Sequence, residues 1–253
     1  MIDLHSHILP GLDDGAQTLE QAIAMARAAV QDGIHIVAAT PHHHNGQYMN
    51  EAHVVQEQLQ RFNERLEEER IPLTVVGGQE LRVNSQSMEE LLEGRVLTLN
   101  SSRYVLIELP ASSVPAAIEE WIHEMIVGGY VPIIAHPERN RAIMEQPDRL
   151  EALIELGALS QLTTHSLCGQ RGGKLQRLSL RLCQRNLVHI LASDAHDTVR
   201  RPFLMREAYD LIRRKLGERL ELDYRANAQA VIDNRPIVPP NVTQKERKKL
   251  LWW

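Results

Sequence analysis

The sequence predicts an α/β chain whose parallel strands close into a seven-stranded β/α barrel. Two observations lead there. Short apolar runs alternate with stretches of helical periodicity along the chain. The apolar runs also lack the polar alternation of half-exposed strands, as expected when helices cover a sheet. No linker or composition shift interrupts this alternation before Arg235. A chain of 253 residues suits one barrel domain. We therefore expect a single domain over residues 1–234 and a Pro-containing, basic tail over 235–253.

The expected strands are 1–5, 35–40, 73–80, 104–109, 131–136, 158–163 and 187–193. The first helix opens at Thr18-Leu-Glu-Gln21, a capping-box pattern, and carries Leu19, Ile23, Ala26 and Val30 on one face. Residues 54–70 form a charged outer helix. Ser113 caps a further helix with Pro115 near its start, and Gly128-Gly129 stops it. Leu175, Leu178 and Leu182 mark another. Leu204, Ala208, Leu211 and Ile212 mark one more, ended by Gly217.

Composition excludes several function classes. The net charge is −5, which argues against a nucleic-acid binder acting through bulk charge. Two cysteines cannot build a disulfide scaffold. No apolar run reaches the ~18 residues of a membrane span, and no signal segment opens the chain. A cytoplasmic location is the expectation. The Lys245–Trp253 stretch, with its cations and two terminal tryptophans, suits weak contact with an anionic membrane surface or an unattached terminus equally well.

The informative feature is where the histidines and acids fall. Strand ends carry His5-Ser-His7, Thr40-Pro-His42, Gly78-Gln-Glu80, Glu108, His136-Pro-Glu-Arg139 and Ser193-Asp194-Ala-His196, with Asp13-Asp14 following the first strand. Residues two apart on a strand share a face, so His5/His7 and Asp194/His196 are paired. A β/α barrel gathers the carboxyl ends of its strands at one rim. So many carboxylates and imidazoles together are costly without cations. Nitrogen and oxygen donors without thiolates suit zinc, manganese, iron or cobalt, and the donor number implies two or three ions. His35 and His189 read as structural. His43, His44, His53, His123 and His165 read as solvated or as standing behind the ligands. Six residues past Cys168 and Cys183 stand Lys174 and His189, so neither cysteine opens a Cys-x5-Arg phosphatase loop.

These residues resemble the polymerase-and-histidinol-phosphatase (PHP) superfamily. HSHILPGLDDG, ATPHH, GQE, IIAHPERN and LVHILASDAH resemble more closely its bacterial protein-tyrosine phosphatases of capsular and exopolysaccharide gene clusters. The resemblance runs from Ile2 to about Gly217. It implies a distorted seven-stranded barrel and a trinuclear centre, often of manganese, with zinc, cobalt, iron or magnesium as alternatives. It further implies that His5, His7, Glu80 and Asp194 hold one ion. Glu80 bridges to a second, completed by Glu108 and His136. His42, His196 and Asp14 or Asp13 hold the third, with Asp14 favoured. Arg139 and Arg201 are implied as phosphate binders, and Asp194 or His196 as a proton shuttle to the leaving phenolate. The expected substrate is a phosphotyrosine protein, the tail of a bacterial tyrosine autokinase. A small-molecule phosphatase, such as one for histidinol phosphate, and a non-catalytic metal-bearing regulator stand as alternatives.

Overall fold

The computed structural model describes residues 1–237. Its strands are β1 (Ile2–Ser6), β2 (Ile36–Ala39), β3 (His42–His43), β4 (Thr74–Gly77), β5 (Glu80–Arg82), β6 (Tyr104–Glu108), β7 (Val131–Ala135), β8 (Leu159–Thr163) and β9 (Ile190–Ala192). Every ladder between them is parallel. The expected α/β class and parallel sheet hold. The closed seven-stranded barrel does not: the strands form one sheet in the order β1-β2-β4 and another in the order β3-β5-β6-β7-β8-β9.

Two local breaks explain the difference. Pro41 has no amide hydrogen to give a ladder, so the second expected strand stops at Ala39 and resumes at His42. The third is cut at Gly78-Gln79. A Cβ on Gly78 would come within 2.8 Å of Leu99 Cδ2 and 3.3 Å of Thr40 Cγ2, so this crowded kink needs glycine. Gln79 holds the break open, giving its amide to Asn50 O and taking Leu97 N at 2.6 Å. Between β9 and β1 only an isolated bridge, Ser6 to Ala195, replaces a ladder. Asp3 occupies that seam and accepts from Ser193 N at 3.0 Å.

The helices are α1 (Leu19–Asp32), α2 (Ala52–Glu68), α3 (Ser85–Leu92), α4 (Ile118–Val127), α5 (Arg141–Glu145), α6 (Asp148–Glu155), α7 (Thr164–Leu167), α8 (Gly173–Gln184), α9 (Met205–Leu216) and α10 (Glu218–Ile232). Thr18 caps α1 as expected, accepting from Gln21 N at 3.3 Å. Ser113 does not cap α4, which begins five residues later. Pro115 disfavours helical backbone at Val114, and the helix starts only after the turn closed by Ile118 N on Pro115 O. Gly128 and Gly129 end α4 as expected, Gly129 in the left-handed region.

Alternation along the strands separates two environments. Tyr104 and Leu106 of β6, Ile133 and Ala135 of β7, and Leu159 of β8 belong to an inner apolar cluster with Ile2, Leu4 and Ile190. Helix α10, unforeseen from the sequence, closes the amino ends of the strands with Ala228 and Val231. Its Asn227 also donates to His189 O at 2.9 Å. On the same alternation, the carboxyl ends present Glu108 and Gln161 instead of apolar groups. The inner space is thus oily at one end and polar at the other. Residues 235–237, expected in the tail, are fastened to the domain. Tyr104 Oη donates to Arg235 O at 2.7 Å and accepts from Ile237 N at 3.1 Å. The Lys245–Trp253 segment lies outside the described residues.

Candidate metal centre

The polar end brings together all nine expected ligand side chains. At its floor, His5 Nε2 lies 3.3 Å from His7 Nε2, 3.4 Å from Glu80 Oε2 and 3.3 Å from Asp194 Oδ1. His7 Nε2 lies 3.5 Å from Glu80 Oε2 and 3.3 Å from Asp194 Oδ1. A tetrahedral ion with bonds of about 2.0–2.1 Å needs ligand atoms about 3.4 Å apart. The separations among His5, His7 and Glu80 are close to that edge length, so these three converge as a cation requires, with Asp194 Oδ1 beside both histidines. Glu80 Oε2, His42 Nδ1 and His196 Nε2 are buried without a hydrogen bond, and each faces this cluster or the next. Lone pairs left so are costly unless a cation takes them.

A second group stands at the mouth. Asp14 Oδ1 lies 3.5 Å from His42 Nε2 and 3.3 Å from His196 Nε2. Asp13 has a different position. Its Oδ2 accepts from His7 Nδ1 at 2.6 Å and from His42 N at 3.0 Å, and its Oδ1 from Gly15 N at 3.0 Å. A proton fixed on His7 Nδ1 leaves Nε2 with a lone pair for the shared space. The third group is formed by Glu80, Glu108, His42 and His136. His136 Nε2 meets Glu80 Oε1 at 2.7 Å, and Glu108 lies 3.9 Å from both histidines. Arg82, missed from the sequence, grips Glu108 Oε2 at 2.7 and 2.9 Å.

Two of these residues sit in backbone conformations that side chains seldom adopt: His136 has φ 33° and Asp194 φ 54°. Such strain persists only when the surroundings impose it, and it concentrates at functional sites. Behind His5, Gln161 Oε1 faces Nδ1 at 2.9 Å and so leaves Nε2 to the centre. This residue was also missed, because a glutamine inside an apolar run carries no sequence signal of its own.

Electrostatics agree with a site that needs positive charge. Burial lowers the pKa values of His5 and His7. The acids outweigh it, Glu80 and Asp194 at His5 and Asp13 at His7, and hold both imidazoles above the usual range. Burial and the charge on His7 push His196 down to about 4, which keeps it neutral and able to ligate. Burial raises the Asp194 pKa, but Arg139 and His5 hold it well below the carboxylate range. Asp194 Oδ2 accepts from Arg139 and, at 2.6 Å, from Arg201. Arg139 Nε and NH2 and Arg201 Nε are left without partners. Both guanidiniums line a pocket of about 220 Å³, with His42, Glu80, Glu108 and His136 opposite.

The remaining histidines separate as the sequence suggested, apart from the first-strand neighbour His35. His35 is exposed at the amino terminus, 2.8 Å from the Met1 amine. His189 is structural, its Nδ1 accepting from Ser160 N at 3.1 Å. His43 and His44 are buried against Glu90 Oε2 at 3.1 and 2.7 Å, and His165 stands behind Ser193 O at 3.3 Å. His53 and His123 are exposed. Burial pushes the Cys168 and Cys183 thiols up to about 12, so neither offers a thiolate at neutral pH.

Comparison with known proteins agrees with this geometry. The family model for capsular polysaccharide synthesis, CpsB/CapC, matches residues 1–233. The chain is 44% identical over 250 residues to the tyrosine-protein phosphatase YwqE of Bacillus subtilis (strain 168), covering 99% of this chain and 98% of that protein. It is 30% identical over 243 residues to the tyrosine-protein phosphatase CpsB of Streptococcus agalactiae serotype V, covering 94% of this chain and all of the relative. Among solved structures, one from a study of YwqE from B. subtilis and CpsB from Streptococcus pneumoniae, described as unique metal-dependent tyrosine phosphatases, superposes with a TM-score of 0.93. That match has 44% identity and covers 97% of this chain and 100% of the other. The chain belongs to the CpsB/CapC family of capsular polysaccharide synthesis proteins.

Proposed function

We propose that this chain is a metal-dependent phosphatase that hydrolyses phosphotyrosine on proteins. The observation that carries the proposal is the juxtaposition in one pocket of metal-type donors, His42, Glu80, Glu108, His136 and Asp194, with two guanidiniums, Arg139 and Arg201. The relatives' names and the near-complete coverage support it. On this reading His5, His7, Glu80 and Asp194 hold one ion, Glu80, Glu108 and His136 a second, and Asp14, His42 and His196 a third. Three ions suit the number of donors, and manganese is the ion that the family resemblance favours.

Bound divalent cations supply two things to phosphoester hydrolysis: a water acidic enough to attack at neutral pH, and neutralisation of phosphoryl charge. The chain's own residues do the rest. Arg139 and Arg201 line the same pocket and would take phosphoryl oxygens as forks. Their grip on Asp194 Oδ2 fixes both forks beforehand. Asp194 is therefore held ionised and is not a proton donor in this arrangement, which removes it from the shuttle role expected from the sequence. A tyrosine phenol has a pKa near 10, so its phenolate departs without a strong acid. His196, buried beside Asp14 and kept neutral, suits the role of ligand to the third ion and not that of proton donor.

The phosphotyrosine protein is, on this reading, a bacterial tyrosine kinase of a capsule cluster, met in the cytoplasm. No described helix is long and apolar enough to cross a membrane. The deciding experiment compares turnover of a phosphotyrosine peptide, histidinol phosphate and single-stranded DNA, before and after chelation and with manganese restored. Metal-restored turnover of the peptide above the others is the expected result. Preference for histidinol phosphate, or activity that survives metal removal checked by elemental analysis, would overturn the proposal.

A further inference from the structure

A second concavity, of about 470 Å³, adjoins the candidate centre and is rimmed by cations. It lies between α5 and α8 and is lined by Arg141, Lys174, Arg177 and Arg181, by one acid, Glu145, and by Met144 and Leu178. Asn140 lines the phosphate pocket and its chain neighbour Arg141 lines this groove, so the two share a wall. Helix α8 also packs on the 137–139 turn that presents Arg139. Arg171, exposed, precedes α8, and burial and then the charges of Arg139 and Arg201 disfavour its protonation.

Lys174 and Arg177 are poorly placed for α8 itself, while Arg181 in the last turn suits it. Positions 174, 177 and 181 fall on one face, where like charges repel. Lys174 stands in the first turn, where acids are favoured and α8 has none. Lys174, Arg177 and Arg181 form no ion pair among the described residues, while Arg141 is paired with Glu145 at 3.0 Å. Three exposed, unpaired cations facing one groove are out of keeping with a chain of net charge −5. A partner of opposite charge accounts for the arrangement.

We infer that the groove between α5 and α8 docks an acidic peptide segment flanking the phosphotyrosine. The inference rests on the phosphatase reading and adds to it a selection among phosphotyrosine sites by their surroundings. With the phosphate between Arg139 and Arg201, the flanking chain passes Arg171 and lays its carboxylates along Lys174, Arg177 and Arg181. Met144 and Leu178 receive apolar side chains between the acids.

The test uses the metal-loaded protein and a variant carrying Lys174→Glu, Arg177→Glu and Arg181→Glu. These positions are exposed and outside the proposed catalytic machinery, so folding and rate on free phosphotyrosine should stay within about twofold of the parent. Two phosphotyrosine peptides are compared, one flanked by Asp and Glu, the other by Ser and Gly. Each exposed pair adds a modest increment, so the parent should favour the acidic peptide by about tenfold in kcat/KM, mainly through KM. The preference should shrink as salt rises and vanish in the variant. Equal kcat/KM for the two peptides in the parent, or an undiminished preference in the variant, overturns the docking groove. Failure to hydrolyse free phosphotyrosine overturns the phosphatase reading instead. Fluorescence anisotropy with the unphosphorylated acidic peptide then still decides the groove, since binding must be lost in the variant. Binding of phosphatidylserine vesicles without binding of the peptide reassigns the face to a membrane surface and overturns the peptide.

Discussion

Replacing Asp13 by asparagine separates the two neighbouring acids. Both of Asp13's oxygens are in use: Oδ1 takes Gly15 N, and Oδ2 takes both His7 Nδ1 and His42 N. An asparagine has one accepting oxygen, so either flip leaves a donor facing an NH2 group. The milder flip keeps the oxygen toward His7 and His42 and orphans the buried Gly15 N–H, at a cost of about 1–3 kcal/mol. The other flip forces the His7 proton onto Nε2, the atom that lies 3.3 Å from Asp194 Oδ1 and 3.5 Å from Glu80 Oε2. Loss of a carboxylate behind a ligating histidine weakens metal binding by about 10- to 100-fold, or ~1.4–2.8 kcal/mol. Asp13→Asn should therefore lower both the melting temperature of the metal-free protein and its manganese affinity, while still binding metal at high concentration. Asp14→Asn should spare the metal-free melting temperature, because its half-exposed carboxylate supports no backbone, yet lose an ion outright. Calorimetry of the metal-free variants and chelator competition with elemental analysis measure both quantities. The reverse pattern, with Asp13→Asn abolishing one equivalent and Asp14→Asn keeping all, would refute the assignment.

Other outcomes follow from the same coordinates. A Cβ on Gly15 would overlap the His7 carbonyl and lie 2.5 Å from His7 Cβ, so Gly15→Ala should push the Asp13–Asp14 loop off His7 and cut kcat/KM by at least about 100-fold, read with metal content. Arg139→Lys should recover little of the ~30- to 1000-fold loss in kcat/KM expected of Arg139→Ala, because an ammonium cannot hold Asp194 and phosphate together; lysine activity within threefold of the parent would contradict the fork. Burial pushes His189 down to about 4. Its folded pKa lies below the unfolded value of about 6.5, so the unfolded chain takes up a proton that the folded one refuses, and stability falls as pH drops between those values, by up to about 3 kcal/mol. His189→Asn keeps an acceptor for Ser160 N, and its melting temperature should decline less than the parent's from pH 6.5 to 4.5; parallel declines would exclude His189 as the cause.

What the sequence made legible was whatever depends on strand parity and burial. Apolar runs marked the strands because helices cover the sheets, and His5/His7 and Asp194/His196 were pairable because alternate residues share a face. Asp14 over Asp13 was favoured by resemblance, and the structure adds the reason: one acid faces inward to His7 and the other outward to His42 and His196. The breaks at Pro41 and Gly78 were hidden. Each falls inside or beside an apolar run, and only the crowding of Leu99 and Thr40 around Gly78 shows why the chain must turn there. The expected barrel failed for that reason and not through a misread strand. Arg82 went unread because its role exists only across a ladder, opposite Glu108, and Gln161 because it meets His5 on a strand with which β8 shares no ladder. Helix α10 went unread because its buried face mixes Glu221 and Tyr224 with Ala228, Ala230 and Val231, which leaves little apolar periodicity.

The two-residue strand β3 has a consequence for how the site keeps its geometry. So short a strand has few ladder bonds with which to set its own alignment opposite Glu80. That alignment is set from outside, by Asp13 accepting from His42 N and by Asn50 donating to His42 O at 2.8 Å. The position of a ligand is therefore written in loops that carry no ligand atom of the floor cluster. A substitution at Asn50 should therefore displace His42 with every metal-type donor unchanged, so the geometry of the site depends on its loops as well as on its donors.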